Sequence, residues 1–478
     1  MELFSDELSL ITGSSLHRGT GRQKKIELPG IQCSTSLHEG KALIPELRTH
    51  FNQHFSAESY SALLALQEQL CDAKVNFRIA ETPIFVPLPL LEGMASAGAE
   101  LAHSLIGNPV YLSAARRAIP PGYLVAGETP HPHFLTADFS LVPNPTGTLV
   151  PKLVEIQAFP SVCAYQVALC TAYRQAFGLP TELGTFLGGL NESSYWELLR
   201  RTILGGHDPE NVVLTELDPL NQKTLPDFKV TARRLGIAVV DIRYLEPIAN
   251  KLHYRNAADT LVPIHRIYNR AIADELISRA IRLPYALTRN WDVEWAGHPN
   301  WYFLISKFSI PWLAGTVSGG PTEGHPTIPP AVFLNDFFDG DGRTKLAAAG
   351  VSLPSPIGPK TTYSELLLKP LFSFAGKGIQ FDPTEAQLLA IPAERRSEFL
   401  LQQRMHFVSA IETPHGLTQA EIRILYLWPD GGDLTPALSL VRLGRGKMMG
   451  VDHNKNQEWV GASAAFFPIV PEALDSVK

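Results

Sequence analysis

Cysteine is scarce, with four in 478 residues: Cys33, Cys71, Cys163 and Cys170. None forms a C-x-x-C pair, so neither a disulfide scaffold nor a cysteine-bound structural zinc is expected, and the thiols read as reduced and buried. Excess charge of one sign is missing too. The chain has 41 Lys and Arg against 47 Asp and Glu, a net charge of −6. That argues against a general nucleic-acid binder and still allows a local basic groove. Long apolar runs are absent. The longest, Pro83 to Leu91, is broken by prolines and ends at Glu92, short of the roughly 18 residues that a membrane span needs. The opening MELFSDELSL carries three acids and no basic residue, unlike a signal peptide. The expectation is a soluble, cytoplasmic protein.

Several phosphate and nucleophile motifs are also missing. G-x-x-x-x-G-K-[ST] does not occur, and Gly358-Pro-Lys360-Thr361 puts a proline where the backbone would have to donate. Gly444-Arg-Gly446 runs on into Lys-Met-Met-Gly, one residue out of step with G-x-G-x-x-G, and no G-x-S-x-G elbow is present. No repeat of 20–50 residues is visible.

What remains is ordinary globular composition, 45% hydrophobic and 18% charged with 36 Gly and 38 Pro. At ~150 residues per domain this suggests about three domains. Apolar spacing predicts helices over 57–76 and 93–106, the second rich in small residues. Arg22-Gln-Lys-Lys25 reads as a solvated cluster. Residues 134–159 read as two apolar strands around a Pro/Asn/Gly turn, followed by a helix over 160–178 opened by Pro160-Ser161. NVVLTEL, PDFKVTARRLG and IAVVDI, within 211–242, form a strand–helix–strand unit of a parallel sheet. VPIHRIYNR (262–270) follows as a strand and AIADELISRAI as a helix, Gly315–Pro330 reads as a loop, and strands return after residue 363.

Four stretches could carry chemistry. In ELLLKPLFSFAGKGIQF, a strand bearing Lys369 leads into Ala375, Gly376, Lys377 and Gly378. Small residues let backbone amides approach an anion, and two lysines add charge, although a plain hairpin turn would read the same way. Glu155 and Gln157 are two apart on a strand and share a face. If the turn is symmetric about 143–148, Asp138 falls opposite Leu153 and diagonal to Glu155. Two carboxylates and an amide oxygen suit Mg²⁺; incidental acids on a surface hairpin are the alternative. FLLQQRM (399–405) could offer backbone groups to a base. Asp452-His-Asn454-Lys-Asn456, after the basic run Arg442 to Lys447, could cover a phosphate or be a solvated turn. His131-Pro-His133 lacks a third ligand and is not taken as a metal site.

In this order the pieces resemble the circularly permuted ATP-grasp proteins, the group that includes the synthetase domain of glutathionylspermidine synthase. The counterparts are TADF around Asp138, VEIQAFPS around Glu155, the unit at 211–246, HPNWYFLISKFSIPWL around Lys307, LLLKPLFSFAGKGI, and LLQQRM with Gln402 and Gln403. The resemblance spans about residues 130–460. Gln157 stands where the family has Asn, and Thr136 where it often has Arg.

The resemblance implies an α+β and α/β chain, a two-lobed clamp on ATP with a Rossmann-like unit before it. It would divide into a mixed, mostly helical region (1–130), a hairpin and helix supplying metal ligands (131–204), the Rossmann-like unit (205–300) and the ATP-binding lobes (301–478). Asp138, Glu155 and Gln157 would hold Mg²⁺. Lys307, Lys369, the Ala375–Gly378 turn, Gln402 and Gln403 would hold ATP. Arg270, Arg423 and Arg442 would face the developing charge or a substrate carboxylate. The implied activity joins a small-molecule carboxylate to an amine or thiol through an acyl phosphate, with no nucleic-acid or membrane partner. The alternatives are an ATP-binding protein without ligase activity and a phosphotransferase of the same fold. The oligomeric state is left open.

Overall fold

Alternating apolar and polar residues at 134–157 and 416–444 build the largest sheet. A computed structural model describes residues 43–469 except 322, 356, 374, 375, 448 and 450–455. The Arg22–Lys25 cluster, Cys33, Ala375 and Asp452 to Lys455 lie outside the described residues. The architecture is mixed α and β with several sheets. No described helix is long and apolar enough to cross a membrane.

The largest sheet runs in the order Gly461–Ser463, Thr435–Gly444, Gly416–Leu427, Phe134–Pro143, Leu149–Gln157, with every neighbour antiparallel. Ser409–Thr413 also pairs with Gly416–Leu427. The hairpin at 134–157 corrects the expected register. Pro143 pairs with Leu149, one step off symmetry about 143–148, and a bulge beside Asp138 shifts the ladder by one more. One slip would reverse the faces; two restore them. Asp138 therefore sits directly opposite Glu155 rather than opposite Leu153. On its other side Asp138 pairs with Arg423, and Glu421 pairs with Arg442. All of these side chains share one face of the sheet.

The other face carries Ala137, Ile422 and Ile424 and is covered by the helix Leu88–Ile106. The small residues in this helix have a purpose. A Cβ at Gly98 would stand 3.0 Å from Ala137 Cβ and closer still to the Tyr426 hydroxyl, which donates to Ala95 O at 2.8 Å. A larger side chain would push the helix off the sheet.

A second antiparallel sheet has the order Ala331–Phe333, Phe399–Gln403, Leu366–Pro370, Gln380–Phe381. The strand–helix–strand unit forms a parallel sheet in the order Glu294–Ala296, Arg266–Asn269, Val212–Glu216, Ala238–Asp241, with the helix Leu225–Leu235 closed by Gly236 in the left-handed region. The run 262–270 is not one strand. Leu261–Pro263 joins a separate antiparallel sheet, and Arg266–Asn269 joins the parallel one. Ile264 N still donates to Leu252 O at 2.9 Å, and His265 N then turns to Asn211 O at 2.8 Å, where the chain leaves the first sheet for the second. The helix expected after it shortens to Ala273–Ser278. The early helix 57–76 is observed as Ala57–Cys71, capped by Ser56. Ile84–Phe85 pairs in parallel with Ala465–Pro468, which joins the two ends of the described chain.

The helix expected to open at Pro160-Ser161 runs Cys163–Phe177 and has no side-chain cap of its own. Its first amides are satisfied from a distance. Asp227 Oδ1 accepts from Ala164 N at 2.9 Å and from Tyr165 N at 3.0 Å. Asp227 Oδ2 takes Arg270 Nη1 at 2.9 Å, and that nitrogen also donates to Ser161 O at 2.6 Å. Both side chains are almost fully buried. Arg270, expected to face substrate, instead ties this helix to the parallel sheet. Asp227→Ala would leave a buried guanidinium unpaired and an uncapped helix. It should lower the unfolding free energy by about 3–5 kcal/mol in a urea titration; a loss below about 1 kcal/mol would show that the pair does not organise this junction.

Candidate functional site

Between the two antiparallel sheets lies a cavity of about 490 Å³, within the usual range for small-molecule sites. The large sheet contributes Asp138, Glu155, Gln157, Glu421, Arg423 and Arg442 to its wall, and the smaller sheet contributes Leu367, Lys369 and Phe381. Lys307 enters from the turn between the short helices Trp301–Leu304 and Ser309–Leu313. The walls divide by chemistry. Leu367, Ile379, Phe381, Met405, Phe407 and Met449 make an apolar side. Among the described residues, seven Lys or Arg line the cavity against three carboxylates.

The charges on the large sheet are matched across strands. Arg423 grips Asp138 with two hydrogen bonds, Nε to Oδ1 at 2.6 Å and Nη2 to Oδ2 at 2.7 Å. Arg442 Nη1 also donates to Asp138 Oδ2, at 3.2 Å, and it pairs with Glu421. Arg423 Nη1 reaches Ser161 Oγ at 3.3 Å. Burial pushes the Asp138 carboxyl up, but the two guanidiniums outweigh it and hold the group below its ordinary range. At Glu421 burial wins over Arg442, and the carboxyl is raised.

Glu155 is held by one oxygen. Oε1 accepts from Gln157 Nε2 at 2.6 Å and pairs with Lys307 Nζ at 2.6 Å. Since a carboxylate only accepts, the Gln157 amide must turn its nitrogen toward Glu155. Lys307 also donates to Ser373 O at 2.7 Å. Lys369 is buried and donates to Gln402 Oε1 at 2.6 Å. Burial pushes its ammonium down to about 8; Glu155 opposes the shift and Lys307 adds to it. The two lysines thus present paired positive charge to the cavity.

The glycine turn lies at the end of the Lys369 strand. Gly376 and Gly378 have φ of +73° and +79°, which glycine alone adopts freely, and a Cβ on Gly378 would meet Pro370 Cγ at 2.8 Å. Gly376 lines the cavity, whereas Lys377 and Gly378 are exposed and do not. Gln402 meets the site through Lys369. Gln403 pairs with Leu366 rather than Leu367, which puts it on the opposite face. Its side chain is placed away from the cavity, and its backbone N–H donates to Pro330 O at 2.7 Å.

Sequence reasoning missed Glu421 and the far rim. The signal for Glu421 was present: Gln419, Glu421 and Arg423 alternate with apolar residues and all reach the cavity. At the rim Asp382, in the left-handed region at φ +53°, binds Arg404 Nη1 at 2.9 Å and Lys447 Nζ at 3.3 Å. These residues are 22 and 65 positions from Asp382, and nothing local in the sequence pairs them. The two early histidines serve structure. His133 is buried against Asp430 and Arg266, and His131 stacks on Trp428. No three His, Cys, Asp or Glu side chains among the described residues form a ready-made metal cage. Mg²⁺ bound with a polyphosphate does not require one, since one or two carboxylates suffice.

No protein-family model matches the chain, and no curated protein matches it. Among solved structures, it resembles a glutathione synthetase-like effector from Globodera pallida in its apo form, at 11% identity and a TM-score of 0.47, with 86% of this chain and 98% of that one covered. It also resembles a protein provisionally named a gamma-glutamylcysteine synthetase from Methylobacillus flagellatus KT, at 11% identity and a TM-score of 0.34, with 82% and 85% covered.

The low value at Lys369 has a consequence for stability. An unfolded lysine titrates near 10.5, so between about pH 8 and 10.5 the unfolded chain binds more protons and stability rises with pH; below pH 8 the penalty for burying the charge is constant. Lys369→Met should therefore melt at a higher temperature than the wild type at pH 7 and lack the rise between pH 8 and 10. Calorimetry across that range checks it, and a lower melting temperature at pH 7 would mean that the ammonium is fully compensated by its neighbours.

Proposed function

We propose that the cavity binds ATP with Mg²⁺ and that the chain is an ATP-dependent ligase joining a carboxylate to an amine or thiol. One observation carries this reading: two buried lysines, Lys307 and Lys369, and a cluster of arginines share one cavity with an apolar wall, and cations outnumber carboxylates there by seven to three. A polyanion with a flat apolar end fits that division. The base would lie against Leu367, Phe381 and Met405, and the phosphates against the lysines and the backbone at Gly376. Together with the order of sequence segments that resembles circularly permuted ATP-grasp proteins, this favours a two-lobed clamp.

Glu155, with Gln157 beside it, would hold a hard divalent cation that comes with the nucleotide. Such an ion would neutralise the phosphate oxygens. The chain's own groups then do the rest. Lys307 and Lys369 balance the nucleotide charge. Arg423 and Arg442, planar and permanently charged, orient the carboxylate substrate and stabilise the charge that grows as its oxygen bonds to the γ-phosphorus and ADP leaves. Attack of an amine or thiol on the resulting acyl phosphate would expel inorganic phosphate. Expulsion of water by the apolar wall protects that reactive species.

A second reading, ATP binding without ligation, is favoured by one feature: Arg423 and Arg442 already hold both oxygens of Asp138, and Lys307 already holds one oxygen of Glu155. A phosphate-release screen with Mg-ATP and pooled amino acids, small peptides and polyamines separates the two, because ligation requires the acceptor. Binding is checked first by thermal shift. ATP with Mg²⁺ at 100 times its Kd should add about 2.7 kcal/mol of stability. Lys369→Ala should abolish most of that shift, and Lys229→Ala, an exposed lysine outside the cavity, should keep it. No shift in the wild-type protein would sink the proposal.

A further inference from the structure

We propose that Asp138 is a positioning residue for Arg423 and Arg442 rather than a ligand of the magnesium ion, and that the metal is held through Glu155; this rests on the Mg-ATP reading above. The two carboxylates face each other across neighbouring strands, yet their lone pairs are used differently. A carboxylate has about four acceptor positions. Asp138 gives one on Oδ1 to Arg423 Nε, one on Oδ2 to Arg423 Nη2 and another on Oδ2 to Arg442 Nη1. The one position that remains is on a side chain whose two oxygens are both already held by guanidiniums and which is shut away from solvent. Glu155 spends only Oε1, on Gln157 and Lys307. Its Oε2 has no partner among the described residues, and its side chain is 19% exposed against 4% for Asp138.

The pairing at Asp138 is not an accident of rotamers. The sheet register puts Asp138 directly opposite Arg423. A two-pronged guanidinium–carboxylate contact fixes the plane of the guanidinium. Ser161 Oγ holds Arg423 from the far side. Arg442 is set by Asp138 and Glu421 together, both through Nη1, which leaves its Nη2 without a protein partner among the described residues. The result is two oriented guanidiniums with donors left over at the cavity wall. Asp138 acts through them and touches no substrate.

The test uses the full-length protein, with Mn²⁺ as the probe for the metal and adenylyl imidodiphosphate as the nucleotide. Manganese uptake is followed by electron paramagnetic resonance. Asp138→Asn should keep the Mn²⁺ affinity within 3-fold of the wild type, and Glu155→Gln should lose at least 10-fold. Phosphate release from Mg-ATP in the presence of the pooled amino acids, small peptides and polyamines should fall at least 10-fold in Asp138→Asn at saturating metal, with the half-saturating metal concentration moved less than 3-fold; a purely structural aspartate would leave that rate unchanged in the folded variant. If Asp138→Asn does not fold, the double variant Asp138→Asn/Arg423→Gln removes both charges of the pair and must show the same retained metal affinity. A 10-fold loss of Mn²⁺ in either Asp138 variant overturns the assignment, as does unchanged phosphate release in a folded Asp138→Asn. No nucleotide-dependent Mn²⁺ uptake by the wild type overturns the Mg-ATP reading and this assignment with it, whereas loss confined to the Asp138 variants overturns only the assignment.

Discussion

Charge placed on a largely buried sheet has to be answered by charge on the next strand, and that constraint organises this molecule. Asp138, Arg423, Arg442 and Glu421 sit at matching positions on three adjacent strands. Taking any one of them out of water would cost several kcal/mol if it stood alone. Together they form an alternating ladder in which each ion is held by the next. A rigid, directional array of charge at the floor of a cavity is what a reaction with developing charge can use, because it needs no rearrangement at the moment of reaction.

The rest of the fold keeps that floor in place. The helix Leu88–Ile106 can lie on the back of the sheet because its contact residues are small. The Asp227–Arg270 pair fixes the start of the helix Cys163–Phe177 to the parallel sheet, and Ser161, just ahead of that helix, supports Arg423. A structural ion pair thus borders on the cavity without lining it. On the opposite wall Lys307 and Lys369 come from separate segments and meet only because the smaller sheet stands over the larger one. Their proximity, with burial, is what lowers the Lys369 ammonium.

Local pattern made much of this legible. The hairpin at 134–157, the strand–helix–strand unit with Gly236 as its stop, and the strand–glycine turn after Lys369 each announce themselves in a few consecutive residues, since their geometry depends on neighbours in sequence. The shared face of Glu155 and Gln157 follows from strand periodicity alone. Asp138 fell on the same face for a less direct reason: two one-residue offsets cancelled, one at the turn and one at the bulge. Arg270 could not be told from Arg423 by composition or position, because a buried partner 43 residues away decides its role. Gln402 and Gln403 differ only in pleat, which the register of the neighbouring strand assigns.

By itself, then, the sequence determined which segments are strands and helices, where the tight glycine turn falls, and which residue types could bind a charged ligand. All of these depend on dihedral preference and on periods of two or 3.6 residues, which act over a few positions. Only the tertiary structure decided which charges meet. Asp138 with Arg423, Lys307 with Glu155, and Asp382 with Lys447 are joined across long stretches of chain. Electrostatic pairing depends on distance in space and on the water excluded between the partners, and neither quantity exists until the sheets have packed.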